Sequence, residues 1–379
     1  MTKRFFKLTL VLLTGSFCTM NAQLFEDTDT NITTAVPFLQ VAADARAAGL
    51  GDQGVATTPD AFSQQWNPAK YTFINKEAAV ALNVTPYLTK LVNDIILANL
   101  VGYKRLGDGR SAVAVGFRYF SLGEIDFTND QGVQTATEKP NELSLDVSYA
   151  LKLNDNFSMS VAGRFLRSDL RLQNADISSD ANAGSSFGVD ITGFYQSRDI
   201  ALGNLDGRWR GGFAISNIGP KLSYSDNQES FIPTNLRFGG GLDIDIDAFN
   251  TIRTSLEFSK LLVPSPQPGG TEQDQGAISS IFSSLNDAQG GFSEELQEVT
   301  TSIGAEYVYD DVFALRLGYF NENENKGARK FVSLGAGFKY TSIGVDMSYL
   351  FSTSDVPSPL EGTLRFGLTF AFGDEIRDF

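Results

Sequence analysis

Chemistry has little to start from in this chain. It contains no histidine. A Ser-His-Asp or Cys-His hydrolytic centre therefore lacks its base, and a histidine metal site lacks its ligand. The single cysteine, Cys18, lies near the N-terminus in a segment expected to be removed, so no thiol or disulfide chemistry is expected in the mature protein. Asp243-Ile244-Asp245-Ile246-Asp247 sets three aspartates at strand spacing. They share one face beside a turn, and no loop supplies the remaining oxygens calcium takes, so they read as turn charges. Gly239-Gly240-Gly241 lies within a strand, which suits close backbone packing and not a phosphate cradle. No catalytic residue, metal ligand or cofactor site is expected, and the chain is read as a non-enzyme.

The most distinctive stretch is built for packing. Arg46-Ala47-Ala48-Gly49-Leu50-Gly51-Asp52, with Gly54-Val55-Ala56 and Trp66-Asn67-Pro68-Ala69 after it, is rich in small residues and has no strand periodicity. Gly49 and Gly51 allow a backbone to approach a wall closely. Arg46, Asp52 and Asp60 are candidate partners for charges on that wall, and Trp66, Asn67 and Pro68 turn the chain toward the first strand.

The elements that must position this stretch lie on both sides of it. Residues 1–22 read as a secretory signal, with Lys3, Arg4 and Lys7 before a short apolar run and a cleavage site near Ala22-Gln23. That run is shorter than the about 20 residues a spanning helix needs. Losing it takes the formal charge from −15 to −18, and so acidic a chain is a poor nucleic-acid binder. Residues 23–75 form the candidate hatch or plug. From residue 76 to 379 about fourteen strand-length segments alternate apolar with small or polar residues, as in Leu143, Leu145, Val147, Tyr149 and Leu151 against Ser144, Asp146 and Ser148. Tight connections such as Asp310-Asp311 alternate with long ones. That asymmetry marks an all-β, transmembrane antiparallel β-barrel with short periplasmic turns and long extracellular loops. An even strand count places both chain termini on the periplasmic side.

On this register Arg118, Asp146, Arg164, Asp190, Arg237, Asp243, Arg253, Glu257, Glu306, Arg316, Asp346 and Arg365 point into the lumen, and their apolar neighbours face outer-membrane lipid. Acids and bases are matched in number, which suggests cross-barrel ion pairs and a plug rather than a pore of one sign. Outside the barrel, residues 321–327 read as a solvated loop tip. The longest loop, about 263–298, carries Pro264, Pro266 and Pro268, then Ile278, Ile281, Phe282, Leu285 and Phe292 at roughly helical spacing. It is either a lid on the barrel rim or a partner contact.

The Arg-Ala-Ala-Gly-Leu-Gly run and Asn-Pro-Ala, set before such a barrel, resemble the N-terminal hatch of the FadL-like barrels. More closely, they resemble the PorV (LptO-type) family of Bacteroidetes-like type IX secretion systems. The resemblance implies a shuttle without enzymatic activity. Such a shuttle binds secreted cargo C-terminal domains at a SprA/Sov-type translocon and delivers them to a PorU-type attachment complex. It leaves open a FadL-type outer-membrane transporter of hydrophobic small molecules as the alternative, although the charged lumen departs from that pattern. The chain also continues past Phe372, where such barrels usually end.

Overall fold

The computed structural model describes residues 31–89, 92–107, 109–171, 182–225, 228–267, 270–354 and 361–375. The proposed signal with Cys18, and Pro268 of the long loop, lie outside them. Fourteen strands make the barrel: β1 (Lys76–Pro86), β2 (Ile95–Arg105), β3 (Ser111–Leu122), β4 (Asn141–Asn154), β5 (Phe157–Asp169), β6 (Gly184–Gln196) and β7 (Leu205–Ile218). The second half is β8 (Asn235–Asp245), β9 (Asn250–Leu261), β10 (Thr300–Tyr309), β11 (Phe313–Asn321), β12 (Lys330–Tyr340), β13 (Ile343–Ser352) and β14 (Leu364–Glu375). Each pairs antiparallel with the next, and β14 returns to β1 through Ala81↔Thr369 and Leu82↔Leu368, so the sheet closes without an edge. The last strand continues past Phe372 to Glu375 by way of Gly373 at φ 77°.

Alternation decides which face goes where. Leu145, Val147 and Tyr149 of β4 are exposed, whereas Ser144, Asp146 and Ser148 between them are buried. Apolar side chains outside and polar ones inside reverse the order of a soluble protein, because here the outer solvent is hydrocarbon. Tyr195, Trp209, Phe313 and Tyr340 stand exposed near the short-turn end, and Tyr119, Phe187, Tyr319 and Phe351 near the other. These are the two aromatic girdles of a membrane band.

The connections follow the same division. Asp310 and Asp311, both at φ 52°, are the central residues of the tight turn between β10 and β11, which the Val312 N–H closes on the Tyr309 carbonyl at 3.0 Å; their paired positive φ is that of a hairpin turn matched to strand twist. At the long-loop end the connections fold further. Two of them form small hairpins, Ile125–Thr128 with Gln134–Glu138 and Leu222–Ser225 with Gln228–Ser230.

The segment before β1, from residue 31 on, runs down the inside of the barrel. Val36, Phe38 and Leu39 pack with Leu97, Phe120, Leu166, Leu222 and Ile232, all at the long-loop end, and Phe38 stacks on Phe120 at 6.1 Å. Helix α1 (Ala45–Gly49) follows and then α2 (Ser63–Trp66). At the short-turn end Tyr71 stacks on Tyr103 at 4.8 Å, and Phe73 meets Phe194 edge-on at 5.4 Å. The strand count fixes where β1 begins and β14 ends. It does not fix the chain upstream of β1, whose first described residues lie among the outer loops.

Candidate functional site

Two assemblies stand out, one inside the barrel and one on top of it. Inside, the small-residue run brings the plug backbone up against the wall. Gly51 takes φ 83°, and a Cβ on Gly318 of β11 would lie 2.1 Å from the Gly51 nitrogen. Plug and wall meet there backbone to backbone, so both positions require glycine. Gly49 touches Gly335 in the same way.

The charges that flank these contacts are paired. Asp44 caps α1, accepting from the Ala47 N–H at 2.7 Å and from Trp66 Nε1 at 2.8 Å. Arg46 grips Glu306 of the wall through Nε at 3.2 Å and Nη2 at 3.0 Å. Its Nη1 reaches Asp60 at 2.5 Å. Asp60 thus pairs within the plug and not with the wall as expected. Glu306 also accepts from Arg316 at 2.7 Å, and Arg316 donates to Asp346 at 2.6 Å. Glu257 accepts from the N–H groups of Gly54 and Val55, both at 2.8 Å. Asn67 Nδ2 donates to the Val55 carbonyl and to the Gly193 carbonyl of β6, and Pro68 opens the final 3-10 turn. Asp52 has a looser partner, Arg365 at 3.5 Å. On the opposite wall Arg164 joins Asp146, Asp190 and Asn217.

Among the buried cations that escaped the sequence analysis are Arg210 and Lys70. Arg210 of β7 donates to Asp243 at 2.7 Å and to the Ala56 carbonyl. Its place opposite Trp209 and Phe213 in the alternation was the available signal. Lys70 is fully buried, with Nζ on the Gly54 carbonyl at 2.9 Å and on Thr57 Oγ1 at 3.0 Å. No periodicity marked it. Of the three clustered aspartates, Asp243 takes that arginine, Asp245 accepts from Thr251, and Asp247 caps the turn N–H groups of Phe249 and Asn250.

The long loop has the opposite polarity. Pro264 and Ser265 are buried at its base and Pro266 is half-buried. Helices α3 (Ala277–Ser283) and α4 (Phe292–Gln297) follow. Ser280, Ser284, Glu295 and Glu298 point inward, while Ile278, Phe282, Leu285, Phe292 and Leu296 are exposed, Phe282 and Phe292 at 73% each; Ile281 is half-buried. Beneath the helices lies a polar latch. Lys260 of β9 donates to Glu295 at 2.8 Å and to Glu298. Lys326 donates to Glu294 at 2.6 Å and to Glu298 at 3.0 Å. Lys326 and Glu322 belong to the loop tip expected to be solvated, and both are instead buried in ion pairs, Glu322 with Arg329 at 2.7 Å. Burial pushes the Glu294 and Glu295 carboxyls up, but Lys326 and the Gly290 N–H on the first, and Lys260 and the Ala288 N–H on the second, hold both below the usual range.

The plug thus lies inside the barrel, under a loop whose apolar side chains face outward. Comparison with solved structures agrees on the fold. A deletion mutant of the monoaromatic hydrocarbon channel TodX shares 11% identity at a TM-score of 0.51, covering 88% of this chain and 99% of that one. The P. putida toluene transporter TodX shares 10% identity at a TM-score of 0.50, covering 89% and 99%. At such identity these likenesses show the fold alone. No curated protein matches the sequence. The family model described as "Type IX secretion system protein PorV" matches residues 25–268. With its hatch-like segment inside a fourteen-strand outer-membrane barrel, the chain belongs to the PorV family of the type IX secretion system.

Proposed function

We propose that this protein is the outer-membrane shuttle of its type IX secretion system. It receives cargo C-terminal domains at a SprA/Sov-type translocon and passes them to a PorU-type attachment complex. The observation that carries this reading is the polarity of residues 262–299. Five large apolar side chains stand in water on a loop that is otherwise well folded, and an exposed apolar patch of that kind marks an interaction surface. The plug supports the same reading, because its wall contacts leave the outer loops as the working face. Export with cleavage near Ala22-Gln23 belongs to this proposal.

The test is a native pull-down from detergent-solubilised outer membranes, comparing the parent with a Phe282→Ser/Phe292→Ser variant that still migrates as a folded barrel on an unheated gel. Co-purification of a very large barrel protein is expected to fall at least tenfold in the variant, with unprocessed cargo accumulating in the cells. Unchanged co-purification and normal cargo processing would remove the loop from this role.

A further inference from the structure

The outer wall carries charge at its long-loop rim. On β5 the outward positions run Val161, Gly163, Phe165, Arg167 and Asp169 toward that end. Arg167 therefore leaves the wall on its membrane side, between Leu143 of β4 and Ser185 of β6, with its side chain 44% exposed. Next to it on the membrane side lie Phe165 and Phe187, ring centroids 5.3 Å apart, and then the exposed Leu145 and Val189. An arginine so placed runs its methylene stem over apolar wall and lifts its guanidinium to the level of the lipid headgroups.

Within the protein Arg167 has only a share of one carboxylate. Asp169 gives both oxygens to Arg171, at 2.7 Å from Nε and 2.7 Å from Nη2, and Arg167 reaches one of the same oxygens at 3.5 Å. Lys260 of β9 and Lys330 of β12 also take outward positions at this rim. Both are matched more closely. Lys260 donates to Glu295 at 2.8 Å and to Glu298, and Lys330 donates to Glu324 at 2.6 Å. Past the strand ends beside Arg167, Arg171 and Lys139 are exposed, each with a carboxylate partner, Asp169 and Glu124.

A phosphate fits this place. The planar guanidinium fork takes phosphate oxygens in pairs, and acyl chains suit the shelf of Phe165 and Phe187. The cations continue outward from Arg167 past the strand ends, a height that a headgroup of sugars spans and a glycerol phosphate does not. We propose that the outer wall at β4–β6 binds a phosphorylated glycolipid of the outer leaflet, its phosphate on Arg167 and its acyl chains along Phe165 and Phe187. The site does not depend on the shuttle reading.

The test is a native mass-spectrometric titration of the full chain in neutral detergent, counting bound lipid. The probes are lipid A, the same lipid A stripped of its phosphates, and phosphatidylglycerol. Lipid A is expected to bind about fivefold more tightly than its stripped form, the factor that one basic side chain contributes near a charged lipid surface. Arg167→Gln should remove that difference. Lys104→Gln, which changes a cation paired with Glu77 at the short-turn end, should keep it. The comparison of the two forms of lipid A is made in the parent protein and does not rest on either variant. Equal binding of both forms, or equal loss in the two variants, overturns the proposal. Phosphatidylglycerol binding as tightly as lipid A overturns the glycolipid as occupant.

Discussion

The plug and the long loop use the same materials in opposite order. In the plug, apolar and small side chains meet the wall directly, and charge ties the two together, as in the pair of Arg46 and Glu306. In the loop, the ion pairs lie underneath and the apolar side chains point away. Burying a charge pair in a dry interior makes its rupture expensive, and both regions hold their pairs largely out of water. The plug uses them to fix itself to the wall. The loop uses them to hold its own shape and leaves its apolar area for something else to cover.

The sharpest way to break the contrast is to remove Arg46. Arg46→Met leaves Glu306 with Arg316 and a longer contact to Arg253, and leaves Asp60 without its cation. Losing one member of such a buried network costs about 3–5 kcal/mol. The folded barrel form should disappear at a clearly lower temperature on detergent gels. An unshifted transition would show that the plug contributes nothing to barrel stability.

Next in size is Gly318→Ala. The added Cβ would meet the Gly51 nitrogen at 2.1 Å and the Leu50 carbonyl carbon at 2.2 Å, and backbone cannot step aside as a side chain can. A loss of about 1–3 kcal/mol is expected, as for overpacking elsewhere. Gly163→Ala is the control. No atom lies within 4 Å of the new methyl, so it should be neutral or slightly stabilising. Equal melting of the two variants would mean the plug does not sit against β11.

Much of this was legible in the sequence, for a physical reason. In a barrel each strand sees hydrocarbon on one side and plug on the other, so a period of two carries both register and orientation. That is how Arg164, Glu306 and Arg365 could be placed inside from spacing alone. The plug has no such period. Its small residues announced close packing, but nothing in them says that Phe38 lies at the outer end and Phe73 at the inner. The loop misled for the same reason. Helices as short as α3 and α4 leave their polarity to tertiary partners, and Lys326 looked like a solvated tip because its glutamates arrive from a segment some thirty residues upstream.

The latch is a smaller test of the same comparison. Glu294 and Glu295 are held below the usual carboxylate range in the folded loop. A depressed folded value means that their contribution is complete above the unfolded value, near 4.5, and is lost as the pH falls through the folded one. Protease cleavage within residues 276–299 should therefore rise below about pH 4.5, the unfolded carboxylate value, while the barrel band persists. Lys326→Met should produce that sensitivity at neutral pH. If acid exposed plug and loop together, the two regions would not be separately held.

The smallest effect on stability is expected where the largest effect on partner binding is proposed. Phe282 and Phe292 make little contact with their own molecule, each being 73% exposed. Replacing both with serine removes apolar area that folding never buried, so the change should stay within about 0.5 kcal/mol for each site. Matched melting curves for the parent and the double variant would check this. A drop of several degrees would mean that the two rings brace the loop rather than face outward. Their exposure would then be no argument for docking, because the loop would be spending its apolar residues on itself, as the plug does.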